Sequence, residues 1–345
     1  AKNEKFSASN GVVFLALFSF AVSGFISLAY EVLWTRLLTP SVGTYIYAFF
    51  GILGVYLLGI ALGSIIYRFF IDKLGYPLLI FAFIELGIGI TAVLSVVVNS
   101  AYSNFNTPLK VLLTIFPGTL LMGMSFPVVA KIFQGRERIG KSIGFAYSAN
   151  TLGTIAGSLA AAFVLIPIFG TVKSIFVLSL VNFTLCILLA IGEKKISNLA
   201  RWIVVLFGLV LLVGTIGTFS KSPLDFQEAK LKKRIASLGE RYEISFFEDE
   251  VASVLGYRQK EGGDRALIID GVQTTSLGPE TSLLAHLPLF MHPDPKKMLV
   301  IAFGMGTTFR SALLHDGLRV DAVELVPSVP KMMRLFHDDA LASFS

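Results

Sequence analysis

Two glycines and one carboxylate stand at a spacing that suits a nucleotide. Gly304 and Gly306 follow the apolar run "KMLVIA" (Lys297 to Ala302), and a second β-type run, "RVDAVEL", ends at Glu324. An acid about 20 positions after a glycine loop is where such folds hold ribose hydroxyls. Between the loop and the acid, Thr307 to His315 reads as a helix. A glycine loop opening a helix lets backbone N–H groups approach a ligand. Gly304-x-Gly306 alone is weak; the order strand, loop, helix, strand, acid gives it meaning.

A second chemically suggestive group lies in an apolar run. Glu85 interrupts residues 77–98, and an ionisable side chain in a bilayer is costly enough to carry a functional hypothesis. Structural hydrogen bonding is the equally weighted alternative. Glu31, Arg36 and Asn150 are the other polar candidates, with Glu31 and Arg36 expected near the outer edge of a first span, neutralising one another. The four His show no metal-ligand spacing: His286 and His292 are six apart across a Pro, and no metal site is expected. No Ser-His-Asp pattern or phosphate-binding Lys loop is present.

The elements that must position these groups divide sharply in composition. The chain is 54% hydrophobic and 15% charged, against about 25% charged in an ordinary soluble domain. Residues 1–220 hold 20 of the 52 charged side chains, and residues 221–345 hold the other 32 with all four His. Seven apolar segments reach the length of about 20 residues that a bilayer demands. They are residues 11–30, 44–67, 77–98, 110–131, 143–168, 174–192 and 202–219. The first is too long, and lacks the small-residue cleavage site, for a removed signal peptide. Domains are therefore expected at 1–220 (transmembrane helical bundle), 221–245 (linker) and 246–345 (polar domain).

Short-loop cations orient such a bundle. Lys2, Lys5, Arg68, Lys73, Lys131, Arg136, Arg138, Lys141, Lys194, Lys195 and Arg201 fall on one side; Arg36, Lys110 and Lys173 fall on the other. The rule makes the first side cytoplasmic, and seven crossings then put the polar domain on the outside face. The net charge of +6 is no nucleic-acid signal, because many of the cations sit between apolar runs. The single Cys186 excludes an internal disulfide. Small residues four apart (Gly59 and Gly63; Gly153, Gly157 and Ala161) line single helix faces and favour close packing of spans. The charged turn around Asp72, Lys73 and Gly75 is similar to a loop of major-facilitator transporters. In the polar part, Val251 to Arg258 and Arg265 to Asp270 flank "QKEGGD" and predict a hairpin, and Glu280 to Phe290 predicts a helix. "EAKLKKRI", with Lys230, Lys232, Lys233 and Arg234, reads as a solvated face touching lipid headgroups.

Taken in order, "SGFISLAYEVLWTRLL", "LLMGMSFPVVAK", "SIGFAYSANTLGTIAGSLAAAFVLIPIFG" and "IIDGVQTTSLGPETSLLAHLPLFMHPDPKKMLVIAFGMGTT" resemble membrane-fused spermidine-synthase-like proteins. The resemblance implies an α-helical polytopic bundle followed by an α/β domain, a β-hairpin lid with a partial Rossmann-like fold, in a bacterial inner membrane. In soluble members that domain moves an aminopropyl group from decarboxylated S-adenosylmethionine to putrescine. Glu324 matches the acid that holds ribose, Gln273 a residue bordering the substrate pocket, and Gly304 and Gly306 the turn glycines. Four positions depart from the family: Met305 stands where an Asp would meet the aminopropyl ammonium, Glu280 and Thr281 where a Tyr-His pair is expected, and Ser253 where a Gln is expected. His286 of the same stretch remains. The family's general base is an Asp beyond a third strand, so the domain is expected to be incomplete at its C-terminus or completed by a partner. The cofactor implied is decarboxylated S-adenosylmethionine or S-adenosylmethionine, or none if the pocket is degenerate. Three functions follow: an accessory or scaffold subunit of a membrane complex, an active membrane-tethered transferase on an amine, or a transporter. The partners expected are the lipid bilayer and other membrane subunits or a homo-oligomer, without nucleic acid.

Overall fold

The computed structural model describes residues 10–43, 45–101, 107–133, 139–194, 196–221, 242–260 and 263–337. They form two compact units, Ala1–Phe226 and Gln227–Ser345.

Helix dominates the first unit, as lipid requires: with no water to bond, the backbone must satisfy its own polar groups. The helices are α1 (Asn10–Val42), α2 (Ile46–Ile66, continued by a wide turn to Ile71), α3 (Pro77–Ala101), α4 (Thr107–Phe133), α5 (Ile139–Ala160), α6 (Ile166–Gly192) and α7 (Asn198–Lys221). Among the described residues, six helical runs are long and apolar enough to cross a membrane. The fifth and sixth expected segments fall in a single run of 53 residues, Gly140–Gly192. A straight helix of that length would extend about 80 Å. Gly170 breaks it at φ 74° and ψ 168°, with helix resuming on either side. The first helix is longer than its expected segment, so Glu31 and Arg36 lie within α1 and not at its edge.

The bundle is apolar on its outer face, and polar groups are set within its largely apolar interior. Trp202, Leu206, Val210 and Val213 of α7 are exposed, whereas Ser19, Glu85, Ser95, Thr119 and Asn182 are buried. Small residues set the helix spacing. On α5, a Cβ at Gly153 or Gly157 would stand 2.1 Å from Ala21 O or 2.0 Å from Phe25 O of α1. Asn150 donates to Phe20 O at 2.9 Å across the same interface. On α2, a Cβ at Gly63 would stand 1.9 Å from Leu120 O, and one at Gly123 of α4 would stand 2.2 Å from Ile60 O. Each end of α4 is tied to a neighbouring segment. Lys131 meets Asp72 at 3.2 Å, and Lys110 donates to Ser41 Oγ at 2.6 Å.

In the second unit the expected hairpin is part of a larger sheet. Strands β1 (Tyr242–Glu248), β2 (Ser253–Gln259), β3 (Arg265–Ile269) and β4 (Val272–Ser276) form an antiparallel meander in chain order. β1 begins within the 221–245 stretch read as linker. β4 follows β3 through Asp270 and Gly271, both at positive φ (50° and 80°), the backbone that a two-residue hairpin turn needs. Beyond the meander come α8 (Pro279–Met291), β5 (Lys297–Ile301), α9 (Thr307–Ala312) and β6 (Arg319–Val323), with β5 and β6 parallel. A short helix, α10 (Met333–Phe336), lies on β2, where a Cβ at Gly256 would meet Leu335 Cδ2 at 2.7 Å.

Asp249 clamps the β1–β2 connection to the segment after β6. Its Oδ1 accepts from the N–H groups of Val251 and Ala252, and its Oδ2 from that of Ser328, each at 2.9 Å. Burial pushes its carboxyl up, but the bonds from Ala252, Ser328 and Val251 outweigh that and hold it below the usual range. A depressed folded pKa stabilises above the unfolded value of about 3.9 and is lost as pH falls through the folded value. Circular-dichroism melts from about pH 7 to about pH 3 are thus expected to show an acid loss in the second unit. In Asp249→Ala that acid slope is expected to vanish, with stability about 1–3 kcal/mol lower at neutral pH.

Candidate functional site

The glycine loop and Glu324 come together. Ala302 N donates to Val323 O at 2.9 Å, holding the ends of β5 and β6 side by side. Three loop residues then adopt positive φ: Ala302 (68°), Gly304 (56°) and Gly306 (79°). For Ala302 that is strained backbone, since its Cβ opposes the left-handed region. Glu324, half-buried just past β6, accepts from Gly304 N at 3.2 Å through Oε2 and from Val326 N at 3.1 Å through Oε1. Its carboxylate is thus fixed beside the loop with lone pairs to spare. That fits the ribose edge of a nucleoside. The helix that follows has only six residues, shorter than Thr307 to His315, so loop N–H groups more than a helix dipole would face a ligand.

Met305 does not face such a ligand. It is 3% exposed and sits in the unit's apolar core with Val254, Leu267, Phe303, Met333 and Phe336. Its carbonyl lies 2.9 Å from His337 Nε2, and His337 Nδ1 in turn contacts Arg310 Nη1. The position at which the resemblance expects an ammonium-binding Asp is therefore part of the packing, and Met305 does not fit the charged tail of decarboxylated S-adenosylmethionine.

The remaining positions are placed by the meander and α8. Gln273 is exposed on β4, opposite Ile268. Its neighbour two residues on, Thr275, is near the loop: a Cβ at Gly304 would lie 3.8 Å from Thr275 Cγ2. Ser253 is buried at the start of β2; its N–H donates to the Asp270 carboxylate Oδ1 and its carbonyl accepts from Asp270 N, both at 2.9 Å. Glu280 is exposed in the first turn of α8, its carboxylate folded back over Gly278. Thr281 donates to Gly278 O at 2.8 Å and accepts from Thr308 Oγ1 at 2.8 Å, which ties the start of α8 to the start of α9. His286 pairs with His315, Nδ1 to Nε2, at 2.9 Å. The Thr308–Thr281, His315–His286 and Asp249–Ser328 contacts were not legible, because the partners lie 27, 29 and 79 residues apart.

Glu85 belongs to the other unit and to a different kind of site. It is 0% exposed on α3, and its Oε2 accepts from Asn182 Nδ2 of α6 at 2.7 Å. Asn182 Oδ1 accepts from Tyr30 OH of α1 at 3.0 Å, and Tyr30 stacks on Trp34, whose Nε1 donates to Ser95 Oγ at 3.0 Å. Three helices thus share one polar hub. An Asn inside the apolar run of α6 was the signal for Glu85's partner.

Polyamine aminopropyltransferase 2 of Streptomyces coelicolor is 25% identical to this chain over 235 residues, 66% of this chain and 41% of the relative. The polyamine aminopropyltransferase of Clostridium tetani is 43% identical over 57 residues, 16% of this chain and 20% of the relative. That of Thermotoga maritima is 43% identical over 53 residues, 14% and 18%. The chain is thus similar to polyamine aminopropyltransferases, the spermidine synthase family. It spans about two fifths of the Streptomyces relative and about one fifth of the other two. No family model matches the chain, and no solved structure does.

Proposed function

We propose that the chain is a membrane-anchored, aminopropyltransferase-like protein that keeps a nucleoside edge but has Met305 where a carboxylate for the amine is expected, and acts as an accessory or scaffold subunit of a membrane complex. Met305 carries this reading. An ammonium against a buried thioether would lose its hydration without a counter-charge, a cost of several kcal/mol. One observation favours the second reading, an active transferase on an amine: Glu324 is held ready beside the strained loop.

Isothermal titration of the purified full-length chain separates the two. Methylthioadenosine, which has no cationic tail, is expected to bind at least as tightly as decarboxylated S-adenosylmethionine. Glu324→Ala is expected to weaken both by about ten-fold or more, the scale of hydrogen bonds to a charged group. Incubation with putrescine and decarboxylated S-adenosylmethionine is expected to yield no aminopropylated product. Product formation would replace the scaffold reading with the transferase one; a folded protein that binds no nucleoside would end the claim of a retained nucleoside edge.

A further inference from the structure

We infer that a cavity at the basic-loop end of the helical bundle binds the headgroup of an anionic phospholipid, with Lys141 as its cation. The cavity, about 450 Å³, is lined by Val13 and Leu17 of α1, Phe133 at the end of α4, and Lys141, Ser142, Phe145 and Ser148 of α5. The first turn of α1, the last residue of α4 and the first turn of α5 all contribute, so the cavity opens at one end of the bundle.

Its chemistry is divided. At the rim Lys141 is exposed, and among the described residues no carboxylate pairs with it. Lys131, in contrast, already has Asp72. The opening N–H groups of α5, a 22-residue helix, have no acceptors in their own helix and add partial positive charge. Val13, Leu17, Phe133 and Phe145 make the wall apolar. A free phosphate would gain nothing from that wall, whereas a lipid puts its phosphate at the lysine and its chains along the aromatic and aliphatic side chains. Basic pockets between spans on the cytoplasmic side recruit acidic headgroups on the same principle.

The inference rests on the membrane-spanning reading, and two experiments keep their failures apart. Alkaline carbonate washing of membranes tests the first: release of the chain would refute spanning. Native mass spectrometry of the detergent-purified full chain tests the second, with dioleoyl-phosphatidylglycerol, dioleoyl-phosphatidylcholine and inorganic phosphate as probes. Phosphatidylglycerol is expected to be preferred over phosphatidylcholine by about five-fold, the scale of one lysine near an acidic headgroup. Lys141→Gln is expected to abolish that preference and Lys141→Arg to keep it, while Lys194→Gln, an exposed cation at the same end, leaves it unchanged. The proposal is overturned if both lipids bind alike, if the preference survives in Lys141→Gln, if Lys194→Gln removes it equally, or if inorganic phosphate binds as well as the lipid.

Discussion

Met305→Asp is expected to unfold the second unit, not to restore an amine-binding carboxylate. The side chain is 3% exposed and packed among the apolar Val254, Leu267, Phe303, Met333 and Phe336, none of which can donate to a carboxylate. The nearby His337 ring faces the backbone carbonyl of Met305, not its side chain. An ionised Asp there would cost several kcal/mol, and a protonated one would still be a buried polar group in want of a partner. Domain stability is typically about 5–15 kcal/mol, so the substitution removes a large part of it. Met305→Leu, which conserves volume, should cost less than about 1.5 kcal/mol. Hydrogen-exchange protection of β1 to β4 distinguishes them: lost in Met305→Asp, kept in Met305→Leu. A folded Met305→Asp chain that bound putrescine would mean that this position opens to a pocket, and the degenerate-site reading would fail with it.

The second large effect lies in the bundle. Gly63→Val should separate α2 from α4, because even the first carbon of the new side chain would stand 1.9 Å from Leu120 O. Backbone cannot yield as a side-chain tip does, and the reciprocal glycine, Gly123, is already against Ile60 O at 2.2 Å. Overpacking of this kind costs about 1–3 kcal/mol or more. Cys186, the lone cysteine and fully buried in α6, reports the loss: a thiol-reactive dye should reach it at a lower temperature. Gly54→Ala on the same helix is the comparison, since nothing lies within 4 Å of its Cβ; little change is expected. Equal destabilisation by both would show that glycine content, not this contact, sets the stability.

Glu324 and the two glycines were legible because strand, loop and acid lie close in the chain, and local order is what a sequence displays directly. The side chain of Met305 was not: its identity could be read, but whether a loop residue points toward ligand or core depends on the meander folded against it. β4 was missed because "VQTTS" is polar, although Asp270-Gly271 is the turn signal that announces a returning strand. The break at Gly170 was legible only as the gap between two apolar segments, since Gly within a continuous helical run carries no mark of its φ angle. The Lys141 cavity needed three helix ends brought together from positions 13, 133 and 141, which no local pattern encodes.

The polar hub of the bundle also sets an order of events during synthesis. Glu85 leaves the ribosome 97 residues ahead of Asn182, and Tyr30 leaves 152 residues ahead of it. At about 5–20 residues per second, the carboxyl on α3 waits roughly 5 to 20 s for its amide. During that interval α1 and α3 are present without the residue that bonds both, and their mutual register is not yet fixed by it. Nascent chains released before α6 therefore carry an unfinished hub, and the arrival of one asparagine marks the moment at which the hub, though not yet α7, is in place.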